Sequence, residues 1–274
     1  MAKNGALTTK ELEGIAKQVR RDIVEMTFRA NSGHPGGSLS AVEILTSLYC
    51  NVMRHKPDDP AWEDRDRFIM SKAHASPVLY AILAQCGYIK RSDLETYRKI
   101  DSKLQGHAHI MTPGIDMSGG SLGQGLSFGL GIALASKIDM RTNHVYVLIG
   151  DGECDEGQVW EAAMASSHYN VSNLTAIVDR NRIQNDRFTH EVMNLEPLDD
   201  KWKAFGWNVV SIDGHNLADV NKALNEAKSF DDGPTVIIAQ TVKGKGVSFM
   251  ENNPEFHGKA PNKEQYTQAM KELS

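Results

Sequence analysis

HVYVLIGDGECDEGQVWEAAMASSHYNVSNLTAIVDRNRI, residues 144–183, decides the fold. Its first seven residues (144–150) form an apolar run rich in β-branched side chains. A helix is expected from about Gln158 to Tyr169. LTAIVD (174–179) is a second run of the first kind. Short apolar runs with a helix between them are the pattern of parallel strands buried on both faces. The alternation continues downstream: a helix near 199–205, WNVVSID (207–213), a helix over 217–229, then PTVIIAQT (234–241). Upstream, RFIMS (67–71) is a further short strand. The expected fold is α/β, a parallel β-sheet covered by helices on both faces.

The remaining segments read as helices and breaks around that sheet. Thr8 and Glu11 make a capping-box pattern for a helix over 8–30, with Leu12, Ile15, Ala16, Val19, Ile23 and Met26 at helical spacing. NSGHPGGS (31–38) is expected to break it. Ser40 and Glu43 open another helix, with Ile44, Leu45, Leu48 and Val52 as its apolar face. Helices are also expected over 76–86, 92–99 and 126–138. The polar end, 243–262, reads as a loop before a short helix. With no repeat, low-complexity tract or linker, one domain over 1–274 is expected, and about 243–274 forms its C-terminal loop and helix extension.

Composition narrows the class. The 274 residues are 41% apolar and 24% charged, which excludes global disorder. A net charge of −5 argues against a nucleic-acid binder. Cys50, Cys86 and Cys154 are an odd number without a CxxC pair, which fits a reducing compartment. No apolar run approaches the ~18 residues of a membrane span, and MAKNGALTTKELEG has no leader-like apolar core. A cytoplasmic soluble protein, without membrane or nucleic-acid partners, is expected.

Three groups of residues point to chemistry. In open α/β sheets, ligands bind beyond the carboxyl ends of the strands. Gly150-Asp151-Gly152 follows the strand 144–149, and Asp179-Arg180-Asn181-Arg182-Ile183 ends the next run. Neighbouring parallel strands would bring the oxygens of Asp151 and Asn181 to one edge, where they suit octahedral Mg²⁺ together with phosphate oxygens. The plainer reading is a turn and a helix cap. Gly119-Gly120-Ser121-Leu122-Gly123-Gln124-Gly125 is a second glycine-rich turn. Its N–H groups could cradle an anion, or its glycines could serve close packing. It is neither a Walker A loop nor a dinucleotide fingerprint. His34, His74, His107, His109 and His257 all fall in Gly-, Pro- or Ala-containing breaks, as binding groups or as capping residues. Zinc at His107 and His109 lacks further ligands at useful spacing. His55, His144, His168, His190 and His215 read as structural or solvated.

In order along the chain, SGHPGGSLS, DRFIMSKAHAS, GHAH, GGSLGQGLSFGLGIALA, GDGECDEGQVWEA, DRNRI and FHGKAP resemble the amino-terminal third of transketolases. The resemblance covers nearly the whole chain. It implies a thiamine-diphosphate-binding fold, with thiamine diphosphate and magnesium (Mg²⁺) as cofactors. Asp151, Asn181 and the carbonyl of Ile183 would coordinate the metal. Gly152 and Glu153 would lie against the diphosphate, and Gly120, Ser121 and Leu122 would line the cofactor. His34, His74, His107 and His257 would surround the diphosphate and the reacting carbon. Among them, His74 and His107 would hydrogen-bond substrate, while His34 and His257 would move protons. Glu156 would join an acidic network between paired sites. The implied reaction moves a two-carbon ketol unit from a ketose phosphate to an aldose phosphate.

The pyrimidine-binding and carboxyl-terminal domains of full transketolases have no counterpart in the sequence. A second transketolase subunit carrying them is therefore expected, in an α₂β₂ heterotetramer. Departures from the family pattern are Arg180 before Asn181, SKAHAS in place of the usual SNGHA, and Ala108 where a proline is common. The rivals are the α-type subunit of a 2-oxo-acid dehydrogenase or decarboxylase, a 1-deoxyxylulose-phosphate synthase relative, and a non-catalytic cofactor-binding module.

Overall fold

Five strands form one sheet: β1 (Arg67–Met70), β2 (Val145–Gly150), β3 (Leu174–Arg180), β4 (Asn208–Asp213) and β5 (Thr235–Gln240). Their spatial order is β1-β2-β3-β5-β4, and every neighbouring pair is parallel. The architecture is taken from a computed structural model that describes residues 6–274. Residues 1–5, part of the expected domain and of the stretch read for a leader, lie outside the described residues.

Ten α-helices are described around the sheet. They are α1 (Thr9–Arg29), α2 (Pro35–Leu39), α3 (Val42–Ser47), α4 (Ser76–Cys86), α5 (Gln124–Ile138), α6 (Gly157–His168), α7 (Thr189–Val192), α8 (Leu198–Ala204), α9 (Leu217–Ser229) and α10 (Lys263–Glu272). Because strand side chains alternate in direction, each strand feeds two cores. Tyr146, Leu148, Ile177, Ile237 and Ala239 join residues of α1, α3, α4, α9 and α10. Val145, Val147, Ile149, Ala176, Val178, Val236 and Ile238 join residues of α5, α6 and α8. The connection β3–β4 therefore runs over one face and β4–β5 returns over the other, as expected if parallel crossovers keep one hand.

Local chemistry explains the element ends, including two that depart from expectation. Thr8 and Glu11 form the capping box of α1. The stretch 31–38 is not a plain break, because Pro35 opens the short helix α2. Proline suits a first helical turn, where its missing N–H is not needed. The helix expected over 92–99 is instead a 3₁₀ segment, Arg91–Thr96. Tyr97, 2% exposed, is drawn into the core beside Tyr80. Arg98 then takes a φ of +60°, and its N–H bonds to Leu104 O at 2.8 Å. Burial of one aromatic ring outweighs helix propensity there.

Gly129 sets the depth of α5. A Cβ at that position would stand 2.4 Å from Val147 Cγ2 on β2. Gly129→Ala should therefore overpack the layer and cost about 1–3 kcal/mol. Denaturant titration measures this, and an unchanged midpoint would show that α5 can lift off β2 freely.

Candidate active site at the carboxyl edge of the sheet

The strand ends bring the scattered motifs together. β1 runs into Ser71, Lys72 and His74; β2 into Asp151 and Gly152; β3 into Asn181; and β5 into Thr241 and Lys243. The β2–β3 register pairs Gly150 with Asp179, so the two acidic turns leave the sheet side by side.

Asp151 is 2% exposed. One carboxylate oxygen accepts from the N–H of Gly152 at 2.8 Å. The other accepts from the N–H of Arg182 and from Arg180 Nη1, the latter at 3.2 Å. Burial, followed by the charge of Asp179, raises its pKa, and these donors oppose the shift. Asn181 Oδ1 accepts from the N–H of Ile183 at 3.1 Å. The Ile183 carbonyl accepts from Lys243 Nζ at 2.8 Å. Arg182 lies between Asn181 and Ile183 and bends the chain with a φ of +66°. Asp151 on one turn, with Asn181 and Ile183 on its neighbour, thus offer a carboxylate, an amide and a carbonyl oxygen, hard donors of the kind that suit Mg²⁺. The family departure Arg180 has a structural role here, since its guanidinium joins buried Asp151 to Glu196.

Glu153 braces the Asp151 turn against the glycine-rich one. Its carboxylate accepts from the N–H groups of Gly123 (2.8 Å) and Gly150 (2.9 Å) and from the Ser71 hydroxyl. With its side chain so engaged, contact between Glu153 and a ligand falls to its backbone. Gly119 packs tightly, since a Cβ there would stand 2.3 Å from Ala73 Cβ, whereas a Cβ on Gly120 would meet nothing within 4 Å. Ser121 and Leu122 are exposed beside Gly120. Glu156, also exposed, stands at the N-cap position of α6 next to Gly123.

Four histidines from four separate segments converge. The His34 ring lies 5.2 Å from His74, 6.1 Å from His107 and 5.4 Å from His257, between centroids. His74 and His257 are 5.2 Å apart. Burial, then the charges of Arg98, His107 and Lys243, pushes the pKa of His34 down to about 4. Burial and Lys243 push that of His257 to about 3. Burial also depresses His74 strongly and lowers His107. Near pH 7 all four rings are neutral, each with one donor and one acceptor nitrogen. His34 Nδ1 is buried and has no hydrogen-bond partner among the described residues. His109 is exposed, and its Nδ1 accepts from the N–H of Met111 at 3.2 Å.

Two buried lysines escaped the sequence reading. Lys72 Nζ donates to Gly37 O at 2.9 Å and to the carboxylate of Asp179. Lys243 Nζ contacts the Ile183 carbonyl, the Gln184 carbonyl (3.3 Å) and His257 Nδ1 (2.7 Å). Burial, then the charge of Lys72, brings the pKa of Lys243 down to about 7. Their position was the available signal: each follows a strand end by two or three residues, as Asp151 does by one.

Comparison with known proteins shows the family. Residues 12–274 match the family model described as the transketolase thiamine diphosphate binding domain. The chain is 42% identical over 268 residues to a subunit of the apulose-4-phosphate transketolase of Phocaeicola vulgatus, covering 98% of this chain and 95% of that one. It is 38% identical over 263 residues to human transketolase, covering 96% of this chain but 42% of the human one. The crystal structure of transketolase from Campylobacter jejuni superposes with a TM-score of 0.92 at 33% identity, covering 97% of this chain and 43% of that one. This chain belongs to the transketolase family and forms its thiamine diphosphate binding domain.

Proposed function

We propose that this chain is the diphosphate-binding subunit of a two-chain transketolase that moves a two-carbon ketol unit from a ketose phosphate to an aldose phosphate. The observation that carries the reading is the meeting of four neutral histidines with two oxygen-lined turns on one sheet edge. The residues suit the cofactors: the turns offer hard oxygen donors, Gly120 opens onto free space, and His34 keeps an unpartnered buried nitrogen.

Asp151, Asn181 and the Ile183 carbonyl would hold Mg²⁺, which neutralises a diphosphate beside Gly152 and the backbone of Glu153. Gly120, Ser121 and Leu122 would line the cofactor. When bound, thiamine diphosphate supplies the electron sink for cleaving a carbon–carbon bond next to a carbonyl. This chain positions and moves protons. When Lys243 is protonated it donates to His257 Nδ1, which places the proton of neutral His257 on Nε2 and leaves that nitrogen for substrate. His34 and His257 serve as proton donors and acceptors. His74 and His107 orient sugar hydroxyls. Glu156, on the rim, would join an acidic network reaching the neighbouring site.

A second subunit would supply the pyrimidine-binding and carboxyl-terminal domains, in an α₂β₂ assembly. Support comes from relatives that are themselves named as transketolase subunits, of which this chain spans 95–97%, against 42% of human transketolase. Phe128 and Ile138 on α5 and Met164 on α6, all exposed, offer apolar surface for that partner. The three cysteines are free, in keeping with the cytoplasm. No helix among the described residues is long and apolar enough to cross a membrane.

The chain alone, with Mg²⁺ and thiamine diphosphate, should show little ketol transfer, and the complex captured from its own cells should show full activity. Robust turnover by the isolated chain would refute the two-chain reading. Asp151→Ala should abolish Mg²⁺-dependent thiamine diphosphate binding by the complex, read by equilibrium titration. His257→Ala should lower kcat by about 10²-fold or more while the cofactor stays bound. Unchanged kinetics in that variant would remove His257 from proton transfer.

A further inference from the structure

A buried network flanks the loop that carries Lys243. Glu43, on α3, is 7% exposed. Its carboxylate takes both terminal nitrogens of Arg20, at 2.6 and 2.8 Å. The same carboxylate lies 2.9 Å from His215 Nδ1. His215 Nε2 accepts from the N–H of Val242 at 2.8 Å. Because Nε2 accepts, the ring proton is on Nδ1 and is donated to Glu43. Arg20 Nε also donates to Lys245 O at 3.1 Å. One carboxylate thus holds both shoulders of the segment 242–245, through His215 on one side and Arg20 on the other.

Lys243 lies between those shoulders. The loop is further tied by Gly244 N–H to Gly36 O and by Asn252 N–H to Lys243 O, both at 3.0 Å. Burial alone would push the Glu43 carboxyl up, yet the His215 hydrogen bond and the Arg20 guanidinium hold it below the ordinary range. A buried ion pair is weak evidence for stability, and its better-attested use is to fix register. Here the register at stake is that of one lysine.

We propose that Glu43, acting through Arg20 and His215, is a positioning residue that sets the 242–245 loop and so holds Lys243 Nζ between the Ile183 carbonyl and His257. The proposal rests on reading this edge as the cofactor site. Its consequence is that substitutions on α1, α3 and the turn after β4, none touching the ligand, alter cofactor binding.

A double-mutant cycle tests it in the assembled enzyme, with thiamine diphosphate affinity at fixed Mg²⁺ and hydrogen exchange as readouts. His215→Leu should raise the dissociation constant by about tenfold, the scale of one lost buried hydrogen bond. It should also speed exchange over residues 241–257 while β2 and β3 stay protected. His215→Gln, whose amide oxygen can still accept from Val242, should recover most of the affinity. Lys243→Met should weaken binding, and adding His215→Leu to it should weaken binding no further. Penalties that multiply, exchange that quickens throughout the sheet, or unchanged affinity in His215→Leu would each overturn the proposal. If the leucine variant does not fold, His215→Asn keeps a donor to Glu43, loses the acceptor for Val242 and takes its place in the cycle. A wild-type enzyme that binds no thiamine diphosphate would sink the reading of the site instead, and the exchange comparison would still judge the clamp.

Discussion

A carboxylate without access to water organises the carboxyl edge. Asp179 is fully buried near the end of the central strand β3. Ionising a carboxylate in such a place costs several kcal/mol unless its oxygens are fully engaged. Four donors meet the demand: Lys72 beyond β1, Ser40 after α2, Thr241 beyond β5, and the amide of Asn181. Burial pushes its pKa up, but Lys72 and these bonds bring it below the ordinary value. Each donor belongs to a different segment, so one charge draws together the strand exits that carry His74, Asn181 and Lys243. Removing any one partner would leave the others around an under-satisfied anion.

A second brace works across the sheet order. Glu153 ties its own turn after β2 to Gly123 at the mouth of α5 and to Ser71 beyond β1. Three backbone segments are locked by a side chain that the family resemblance associates with the diphosphate. Arg180 does similar work at the neighbouring turn, by pairing with Asp151 and Glu196. Glu153 and Arg180 are thus engaged in holding turns, whereas the four clustered histidines are neutral rings near pH 7.

The fold was legible because its strands announce themselves. VYVLI, LTAIV and TVIIA have β-branched and apolar side chains on both faces, and only a doubly covered strand needs that. Asp151 and Asn181 were legible because they stand one strand–helix–strand unit apart, and the β2–β3 register joins them. The histidine cluster could be suspected from loop context, but its convergence is a property of three dimensions. The helix expected over 92–99 ends early because periodicity does not reveal that the core will claim Tyr97. Lys72 and Lys243 were passed over because a lysine in a loop normally reaches water, and nothing local in a sequence names its carboxylate or carbonyl partners. His215 has the same difficulty, since its partners Glu43 and Val242 are far from it in the chain.

The two cores share the sheet, whose strands feed both, and the site straddles them. Its histidines and Lys243 ride on segments packed with α1, α3, α4 and α10, whereas Asp151, Glu153 and Gly120 lead into α5 and α6. The spacing between these two sets is therefore gauged by the strand ladder, which moves in whole residues. A slip of one position turns every side chain to the opposite face. Evolution can retune this protein continuously only where loops overhang the edge. A changed loop leaves that spacing intact, whereas a slip in the ladder would displace one set of residues against the other.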